Sequence, residues 1–465
     1  MRFRQGLVVC VWMLAAATAA AQQVSDSVVA EQAKAALQRA VPDEHGPGAV
    51  VVIAKGDSKG DRLVFQGARG QAQLELGVPL AANQVFRIAS ITKIFTAATV
   101  VNLADHRRLS LDDKLARYLP QIPNADRITL RQLLNHTAGV SDVASNPQPG
   151  MTWRRMDMAA QVAEIAKRKP AFEPGTRWAY SNAGYILLGA VIEKAAREPW
   201  QEAVWAYAAK AGGQYRIRYG DDAALMPGRV AGYSTDHPDH HVENAAFISS
   251  SVPASAGGFV ASADDLARWM RAFALGDVVN PRSVRMMTTP AQAVEPPAHP
   301  YGLGLYLWRL QGSEMIGHTG QINGFASALA YLPKEDITVV VLANDDNFDA
   351  RTMARRLAAI ALGKPYADPV GVTPSADTLK ALAGAYRIDD KTLETLSVKD
   401  GRLYAQRSGH NLVPLQLTAD GKLYFVPDEL SYFVPVRDAG GKVTRLDYFD
   451  GGDEPAQAMP RTEGT

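Results

Sequence analysis

The chain has 465 residues, of which 47% are hydrophobic and 21% are charged. These fractions are ordinary for a folded protein and exclude a disordered, collagen-like or coiled-coil chain, and the length suits two to four domains. The 49 basic and 48 acidic residues leave a net charge of +1, so the charge balance gives no argument for nucleic acid or an anionic membrane surface as a partner.

The first 21 residues have the pattern of a cleaved export signal. Arg2 and Arg4 precede an apolar stretch at residues 6–17, and the alanines at 19–21 fit a small-x-small cleavage site. The apolar stretch is shorter than the roughly 20 residues that a membrane-spanning helix needs. We therefore expect a mature chain that begins at Gln22, is periplasmic or secreted, and has no stable membrane insertion after cleavage.

Cysteine and metal chemistry are not expected in the mature chain. Cys10 is the only cysteine and lies inside the signal, so no thiol nucleophile, disulfide or cysteine-ligated metal remains. Residues 236–241, Asp-His-Pro-Asp-His-His, include metal-binding residue types. Ligands from one short loop rarely close a site unaided, so we expect a solvated loop there and no metal.

The mature chain begins with a predicted helix and a hairpin. Residues 32–40 have amphipathic spacing that predicts a short helix, and residues 48–55 and 62–65 predict the two strands of the hairpin. An apolar helix rich in Ala and Thr opens at residues 86–93. From residue 109 to about 274 the pattern is mostly helical, with loops between the helices.

Strands return after this helical middle. Strand patterns lie at residues 301–308, 326–332 and 337–342, and a last helix is predicted at 350–362. Tyr301, Tyr306 and Trp308 alternate as strand residues do, and we expect them in the core or on a sheet face. Strands that flank a helical middle predict an α+β domain with an all-α insertion.

The residue composition and the hydrophobic pattern of the sequence change near Gly363. Pro365, Pro369 and Pro374 indicate a linker over residues 364–375. Beyond the linker, hairpin turn signals separate short alternating segments, which predict strands at 396–398, 403–405, 423–426, 432–436 and 446–449. Residues 376–465 therefore predict a small antiparallel β-barrel or sandwich domain.

Ser90 and Lys93 form a candidate nucleophile and base. Their spacing of three at the start of a predicted helix puts both side chains on one face, within hydrogen-bonding reach. A serine hydroxyl becomes a good nucleophile only when a base takes its proton, and a lysine serves as that base when burial lowers its pKa. The N-terminus of the helix adds N–H groups that suit developing negative charge.

Two further motifs supply polar groups for the same chemistry. Tyr180 is the only tyrosine with Asn at the second following position, Asn182, and His318 opens the only His-x-Gly motif, which ends at Gly320. A phenol beside an ammonium group carries a proton to a leaving group, and an amide fixes a carbonyl or a lysine. Taken alone, the first motif is more often a packed tyrosine and the second a loop histidine. They indicate a catalytic site only in combination with Ser90 and Lys93.

The sequence segments around these motifs resemble those of the serine β-lactamase-related hydrolases of the class C type. This family includes class C β-lactamases, D-alanyl-D-alanine carboxypeptidases, D-aminopeptidases and esterases. The similar segments occur in the family's order at residues 86–96, 111–120, 133–140, 173–185, 257–266 and 317–325. The resemblance implies a β-lactamase/transpeptidase-like fold over residues 22–363, in which helices and an all-α subdomain flank an antiparallel sheet.

The resemblance also implies roles for individual residues. Ser90 would be acylated, and Lys93 and Tyr180 would share the base and acid roles, with the first base left open. Asn182 would orient the acyl side chain and Lys93. The backbone N–H groups of Ser90 and Gln321 would form the oxyanion hole, and His318, Thr319 and Gly320 would complete the substrate-binding strand. No metal or organic cofactor would be needed.

His318 departs from the pattern of the lactamases and carboxypeptidases, which commonly have a lysine there to pair with a substrate carboxylate. A histidine is mostly neutral at pH 7. In both its histidine at this position and its appended C-terminal β domain, the sequence resembles the aminopeptidase and esterase branches of the family. We therefore predict an exported serine hydrolase that cleaves an ester or amide.

Two alternatives to this function remain. One is a D-alanyl-D-alanine carboxypeptidase or β-lactamase, and the other is a non-catalytic protein that binds peptidoglycan or peptides. The expected partner is a small-molecule or peptide substrate, muropeptides included, and no nucleic acid. The sequence leaves the oligomeric state open.

Overall fold

The computed structural model describes residues 24–57, 60–142, 154–209, 216–235, 241–294, 300–389, 392–426, 430–452 and 456–462. The helices are α1 (Asp26–Ala40), α2 (Thr92–Asp105), α3 (Leu130–Leu134), α4 (Met158–Ala166), α5 (Asn182–Ala196), α6 (Trp200–Val204), α7 (Ala254–Gly257), α8 (Ala263–Leu275), α9 (Pro281–Met287), α10 (Ala350–Ala361) and α11 (Ala376–Leu382). The predicted export signal at residues 1–21 and most of the candidate metal loop, residues 236–240, lie outside the described residues.

The strands fall into two large sheets and several short pairs. They are β1 (Ala49–Asp57), β2 (Gly60–Arg69), β3 (Gln71–Gln73), β4 (Val78–Pro79), β5 (Phe86–Arg87), β6 (Arg218–Tyr219), β7 (Tyr233–Ser234), β8 (Glu243–Asn244), β9 (Phe259–Ala261), β10 (Tyr306–Leu310), β11 (Ser313–Ile322), β12 (Phe325–Leu332), β13 (Ile337–Ala343), β14 (Gly384–Arg387), β15 (Leu393–Lys399), β16 (Arg402–Arg407), β17 (Val413–Leu417), β18 (Leu423–Phe425), β19 (Tyr432–Arg437), β20 (Val443–Phe449) and β21 (Gln457–Pro460).

The main sheet has six antiparallel strands in the order β10-β11-β12-β13-β1-β2. It is covered on both faces, which explains why β1 and β13 are almost continuously apolar. Val50 and Val52 face a core shared with α2, α5 and α8, whereas Val51 and Ile53 face a second core shared with α1 and α10. The predicted hairpin at residues 48–65 and the predicted last helix at 350–362 are confirmed by β1, β2 and α10.

The helical part holds the nucleophile segment against the sheet. Helix α2 is buried along nearly its whole length and packs against α5, α6 and α7. Thr96 donates to the Ser255 carbonyl, and Ser255 donates to the Tyr185 carbonyl, so α7 is fixed between α2 and α5. This arrangement brings backbone from residues 254–257 beside the start of α2.

The C-terminal sheet is an eight-stranded antiparallel barrel that is nearly closed. Its strands pair in chain order from β14 to β21, and a bridge between Tyr386 and Arg461 joins its two ends. Leu379 and Leu382 of α11 enter the barrel core. The sequence predicted a small antiparallel barrel or sandwich, of which the barrel is present, but α11, β14, β17 and β21 were missed.

Three local predictions differ from the structure. Helix α1 begins at Asp26 rather than at residue 32, because Ser25 caps it there by accepting a hydrogen bond from the N–H of Val28. Tyr301 lies before β10 and pairs only in an isolated bridge with Tyr306. The strand patterns leave residues 313–322 unassigned, whereas the structure has β11 there with His318 inside it, because both faces of β11 are covered near His318 and its alternation is hidden.

Candidate active site

Ser90 lies in a strained turn at the start of α2. Residues Ala89–Ile91 form a single 3₁₀ turn, and Ala89 has a φ of 44°, a left-handed conformation that costs energy for a residue with a Cβ atom. The preceding strand, β5, pairs with β9 and fixes the entry of the chain into this turn. The turn presents Ser90 to the cleft at the positive end of the α2 dipole.

Lys93 is completely buried one turn further along the helix. Its Nζ lies 3.0 Å from the Ser90 Oγ, 2.8 Å from the Asn182 Oδ1 and 2.8 Å from the Ala256 carbonyl oxygen. Burial lowers the pKa of Lys93 to about 7, although the negative charge of Asp142 acts in the opposite direction. A large share of Lys93 is therefore the neutral amine at neutral pH.

The contacts of the neutral amine determine where its lone pair points. A neutral amine has two hydrogens, and the Ala256 carbonyl and the Asn182 Oδ1 can only accept. Both hydrogens are therefore committed to those two oxygens. The lone pair then faces the Ser90 hydroxyl, which donates to it, and this is the geometry that a general base requires.

Tyr180 and Asn182 are positioned by the start of α5. Ser181 caps this helix by accepting a hydrogen bond from the N–H of Gly184. Tyr180 lines the cleft beside Ser90, and the Lys93 Nζ lies 4.7 Å from the centre of the Tyr180 ring. Burial raises the pKa of Tyr180 well above its usual value, so the phenol keeps its proton.

Asp142 is a member of this site that the sequence analysis missed. Its Oδ2 accepts a hydrogen bond of 3.0 Å from the Asn182 Nδ2, and its Oδ1 accepts one of 3.1 Å from the N–H of Ala183. These bonds fix which end of the Asn182 amide faces Lys93. A signal was present, since Asp142 lies two residues after the similar segment 133–140, but spacing alone did not connect it with Asn182.

Strand β11 forms the opposite wall of the site. Strand β10 pairs with residues 313–317 of β11, so the next residues, from His318 onward, extend past it toward the nucleophile turn. Gly320 approaches this turn so closely that a Cβ atom there would overlap the Ile88 carbonyl oxygen. A glycine is therefore required for β11 to lie beside Ser90.

Both ring nitrogens of His318 are engaged within the protein. Its Nδ1 faces the Thr319 carbonyl, which can only accept, so Nδ1 carries the proton, and Nε2 accepts from the Tyr301 hydroxyl at 3.1 Å. Burial and the nearby charge of Lys93 lower the pKa of His318 to about 3, which keeps the ring neutral. The histidine is neutral, as predicted, but its N–H group donates to the Thr319 carbonyl of the backbone.

Tyr301 and His136 are two further residues whose place in the site the sequence analysis missed. Tyr301 was expected only as a core or sheet-face residue, yet it orients His318. His136 lies 4.4 Å from Tyr180 and 4.7 Å from Tyr301 between ring centres, and its Nδ1 accepts from the N–H of Ser181. His136 has a φ of 63°, so a strained turn places this ring among the tyrosines.

These side chains line one cleft of about 500 Å³. The predicted site residues that line it are Ser90, Tyr180, Asn182, His318, Thr319, Gly320 and Gln321. Lys93 lies behind this surface, and the residues of both proposed oxyanion donors, Ser90 and Gln321, face the same space. Among the residues that the structure describes, no group of three or more His, Cys, Asp or Glu side chains is arranged to hold a metal ion.

A Ser–Lys–Tyr set with a buried lysine, between a helix and a sheet edge, defines a serine hydrolase site of the β-lactamase fold. A family model described as Beta-lactamase matches residues 27–362. The chain therefore belongs to the beta-lactamase family.

Known proteins extend this relationship beyond the family domain. Penicillin-binding protein 4* of Bacillus subtilis (strain 168) is 24% identical over 427 residues, 86% of this chain and 93% of that protein. A D-aminopeptidase of Gluconobacter oxydans (strain 621H) is 27% identical over 350 residues, 74% of this chain and 64% of that protein. The crystal structure of a D-stereospecific amidohydrolase from Streptomyces sp. is 28% identical with a TM-score of 0.59 and covers 68% of this chain and 94% of that one.

Proposed function

We propose that this protein is an exported serine hydrolase that forms an acyl-enzyme on Ser90 and cleaves an amide or ester of a D-amino acid. The observation that carries the proposal is the Lys93 amine, which is buried and lies 3.0 Å from the Ser90 Oγ. The D-aminopeptidase and the D-stereospecific amidohydrolase among the similar proteins support the acyl group. Export rests on the signal pattern at residues 1–21.

Acylation begins when the neutral Lys93 amine takes the proton of the Ser90 hydroxyl. The Ser90 Oγ forms a bond to the substrate carbonyl carbon, and the π electron pair of the carbonyl moves onto its oxygen. The N–H groups of Ser90 and Gln321 stabilise that oxyanion. Asp142 and Asn182 hold the lysine in place, so little reorganisation is needed.

The leaving group departs with a proton relayed through Tyr180. When the tetrahedral intermediate collapses, its C–N or C–O bond breaks, and the Tyr180 phenol gives its proton to the departing atom while it receives one from the Lys93 ammonium. Its raised pKa makes the phenol a proton carrier rather than a resting phenolate. Water then attacks the ester on Ser90, with Lys93 again the base, and releases the acid.

The neutral state of His318 favours a hydrolase of D-amino acid amides or esters over a lactamase or carboxypeptidase. A lysine at this position would present a permanent positive charge to a substrate carboxylate. The neutral His318 ring instead donates to Thr319 and accepts from Tyr301. Carboxylate recognition through this position is therefore weak, which lowers the expected activity on D-alanyl-D-alanine peptides and β-lactams.

A hydrolysis panel tests the proposal. The mature protein would be assayed with D-alanine p-nitroanilide, its L enantiomer, a short p-nitrophenyl ester and a chromogenic cephalosporin. We expect turnover of the D-anilide and the ester, with a loss of at least about 10³-fold in kcat for Ser90→Ala. Ser397→Ala, a serine on β15 of the barrel, is the matched control and should leave turnover unchanged.

Other results would contradict the proposal in distinguishable ways. Turnover of the cephalosporin alone would favour the alternative of a D-alanyl-D-alanine carboxypeptidase or β-lactamase. Equal turnover by Ser90→Ala would exclude the acyl-enzyme on Ser90. Silence with every donor would favour the non-catalytic binding protein.

A further inference from the structure

Another cleft lies at the far end of the helix that follows the nucleophile. It has a volume of about 610 Å³, which is in the range of small-ligand sites, and it shares no lining residue with the cleft at Ser90. Its walls are the end of α2, the first turn of α9 and parts of the segment 107–117. Helix α2 has 14 residues and rises about 1.5 Å per residue, so the two clefts lie about 20 Å apart.

Arginines supply most of the charge on the walls of this distal cleft. Arg131 Nε lies 3.1 Å from the Asp112 Oδ1, and Arg117 Nη1 lies 2.9 Å and 3.0 Å from the two carboxylate oxygens of Asp113. Arg108 donates to two carbonyls at the end of α5, at 3.1 Å and 3.4 Å. Three of the lining arginines are therefore used within the protein. The full set that lines the cleft is Arg107, Arg108, Arg117, Arg131 and Arg282.

Arg107 and Arg282 are the two arginines that remain for a ligand. In the part of the chain that the structure describes, neither makes an ion pair or a side-chain hydrogen bond. Asp105 is the other carboxylate on the cleft wall, beside the one paired with Arg131. With Arg108 counted, three guanidinium charges face the single charge of Asp105. The described walls therefore have an excess of positive charge that attracts an anion.

Asp105 also fixes the two walls of the distal cleft to each other. Its carboxylate accepts hydrogen bonds from the Asn280 Nδ2 at 2.7 Å and from the Ser283 Oγ at 2.9 Å. Ser283 is buried. Arg282 lies between these two residues in the chain, so its backbone is held in place relative to the end of α2. Such preorganisation lowers the cost of binding a ligand between the two walls.

Arg107 occupies a position where the backbone favours a different residue. Its φ is 57°, in the left-handed turn that ends α2, where the N–H of Arg108 donates to the Leu103 carbonyl. Glycine or asparagine adopts this conformation at a lower energy cost. The turn places the Arg107 side chain on the cleft wall. Backbone strain of this kind is concentrated at ligand-binding and active sites.

We propose that the distal cleft binds a phosphomonoester group, held by Arg107 and Arg282 between the end of α2 and the start of α9. A phosphomonoester carries close to two negative charges at neutral pH, which matches two guanidinium groups without partners. The planar guanidinium fork also fits the oxygens of a phosphate. A carboxylate carries only one charge and is the weaker match. This inference does not depend on the hydrolase activity.

Calorimetric titration of the mature protein with inorganic phosphate and with glycerol 3-phosphate tests the proposal. We expect saturable binding of both at a single site, with dissociation constants in the millimolar range or tighter. Acetate should bind at least about tenfold more weakly, because it offers one charge fewer to the two arginines. Absence of saturable phosphate binding would overturn the proposal.

Two variants locate the binding. Arg282→Gln and Arg107→Asn each remove one guanidinium group, and asparagine tolerates the left-handed turn at position 107. Each should weaken phosphate binding about tenfold, as the loss of one charge-assisted contact does. Arg285→Gln, on α9 but outside the cleft, is the matched control and should bind phosphate like the wild-type protein. Wild-type affinity in both Arg282→Gln and Arg107→Asn would place the phosphate elsewhere and overturn the proposal.

Thermal unfolding separates a loss of binding from a loss of folding. Without phosphate, the double variant Arg107→Asn with Arg282→Gln should unfold at the wild-type midpoint, because neither side chain has a partner among the described residues. Phosphate should raise the midpoint of the wild-type protein and of Arg285→Gln, and it should leave that of the double variant unchanged. An equal rise in the double variant would contradict the proposal.

The source of the phosphomonoester is distinguished with vesicles. The mature protein would be sedimented with vesicles of phosphatidylcholine alone and with vesicles of phosphatidylcholine and phosphatidic acid in equal amounts. Sedimentation only with phosphatidic acid, lost in the double variant, would identify a lipid headgroup. Binding of glycerol 3-phosphate without sedimentation would identify a soluble phosphate ester. Binding of neither, in the wild-type protein, would overturn the proposal.

Discussion

At the scale of single residues, Lys93 and Asp142 control the protonation on which acylation depends. Only the neutral Lys93 amine accepts the Ser90 proton, and the neutral fraction grows as the pH rises through a pKa of about 7. The kcat/KM of the wild-type protein should therefore increase with pH around 7. Asp142 favours the charged form of Lys93, so Asp142→Asn should lower that pKa and move the ascending limb of the kcat/KM profile to lower pH.

The position of the limb, rather than its height, is the informative quantity in this experiment. Asp142→Asn also disturbs Asn182, which lowers activity at every pH without moving the limb. Asp112→Asn is the matched control, because this carboxylate is exposed and pairs with Arg131 on the surface. A limb that stays in place, or moves to higher pH, would contradict the assigned coupling between Asp142 and Lys93.

The sequence predicted the residues of this site that share a local spacing and missed those that depend on tertiary contacts. Ser90 and Lys93 are one helical turn apart, and Tyr180 and Asn182 flank a helix cap, so local geometry brings each pair together. Asp142 reaches Asn182 across 40 residues of chain, and Tyr301 reaches His318 from outside β10. No periodicity encodes such contacts.

At the scale of elements, the site depends on how closely β11 approaches the nucleophile turn. Gly320 is the point of closest approach, and its missing Cβ leaves room for the Ile88 carbonyl and the Ala89 side chain. Gly320→Ala should push β11 away from Ser90 and misplace the Gln321 N–H. We expect kcat/KM to fall about 10²-fold, as loss of an oxyanion donor does, and the free energy of unfolding to fall by about 1–3 kcal/mol, as overpacking does.

Gly440→Ala provides the comparison for this change. Gly440 lies in a barrel turn where a Cβ atom would meet only the Asp438 side chain, at an ordinary 3.4 Å. It should leave both activity and the thermal midpoint close to wild type. If Gly320→Ala kept wild-type kcat/KM, the close contact between β11 and the turn would not position the oxyanion donors.

The elements that the sequence missed have a common physical cause. Strand patterns are clear where one face is wet, as in β15 and β16 of the barrel, whose burial alternates. Strand β11 is covered on both sides near His318, so the alternation that would indicate a strand is absent. The short strands β14 and β21 exist because the barrel closes, which is a property of the whole sheet rather than of a local segment.

At the scale of the whole molecule, the fold puts the site at the meeting point of three layers. The turn before α2 supplies Ser90, α2 and α5 supply Lys93 and Asn182, the sheet supplies β11, and α10 carries Arg351. Helix α10 is also the element on which the barrel docks, through Arg351 and Arg355. Among the described residues, no helix is of the length and apolarity that crossing a bilayer would require.

Arg355 is the buried link in this docking, and its removal should uncouple the barrel from the catalytic part. Its side chain is 1% exposed, and it donates to the carbonyls of Gly451 and Arg309 at 2.8 Å and 3.1 Å. Hydrogen bonds from a charged donor stabilise by about 1.5–3 kcal/mol each, so Arg355→Met should lower the thermal midpoint by several degrees. Calorimetry should then resolve an earlier transition for the barrel, because a buried contact with α10 is lost.

Arg402→Met on the exposed surface of β16 is the control and should unfold like the wild-type protein. Proteolysis gives a second readout, since cleavage between residues 364 and 375 should become faster only in Arg355→Met. A single transition at the wild-type midpoint would mean that Arg355 does not hold the two parts together.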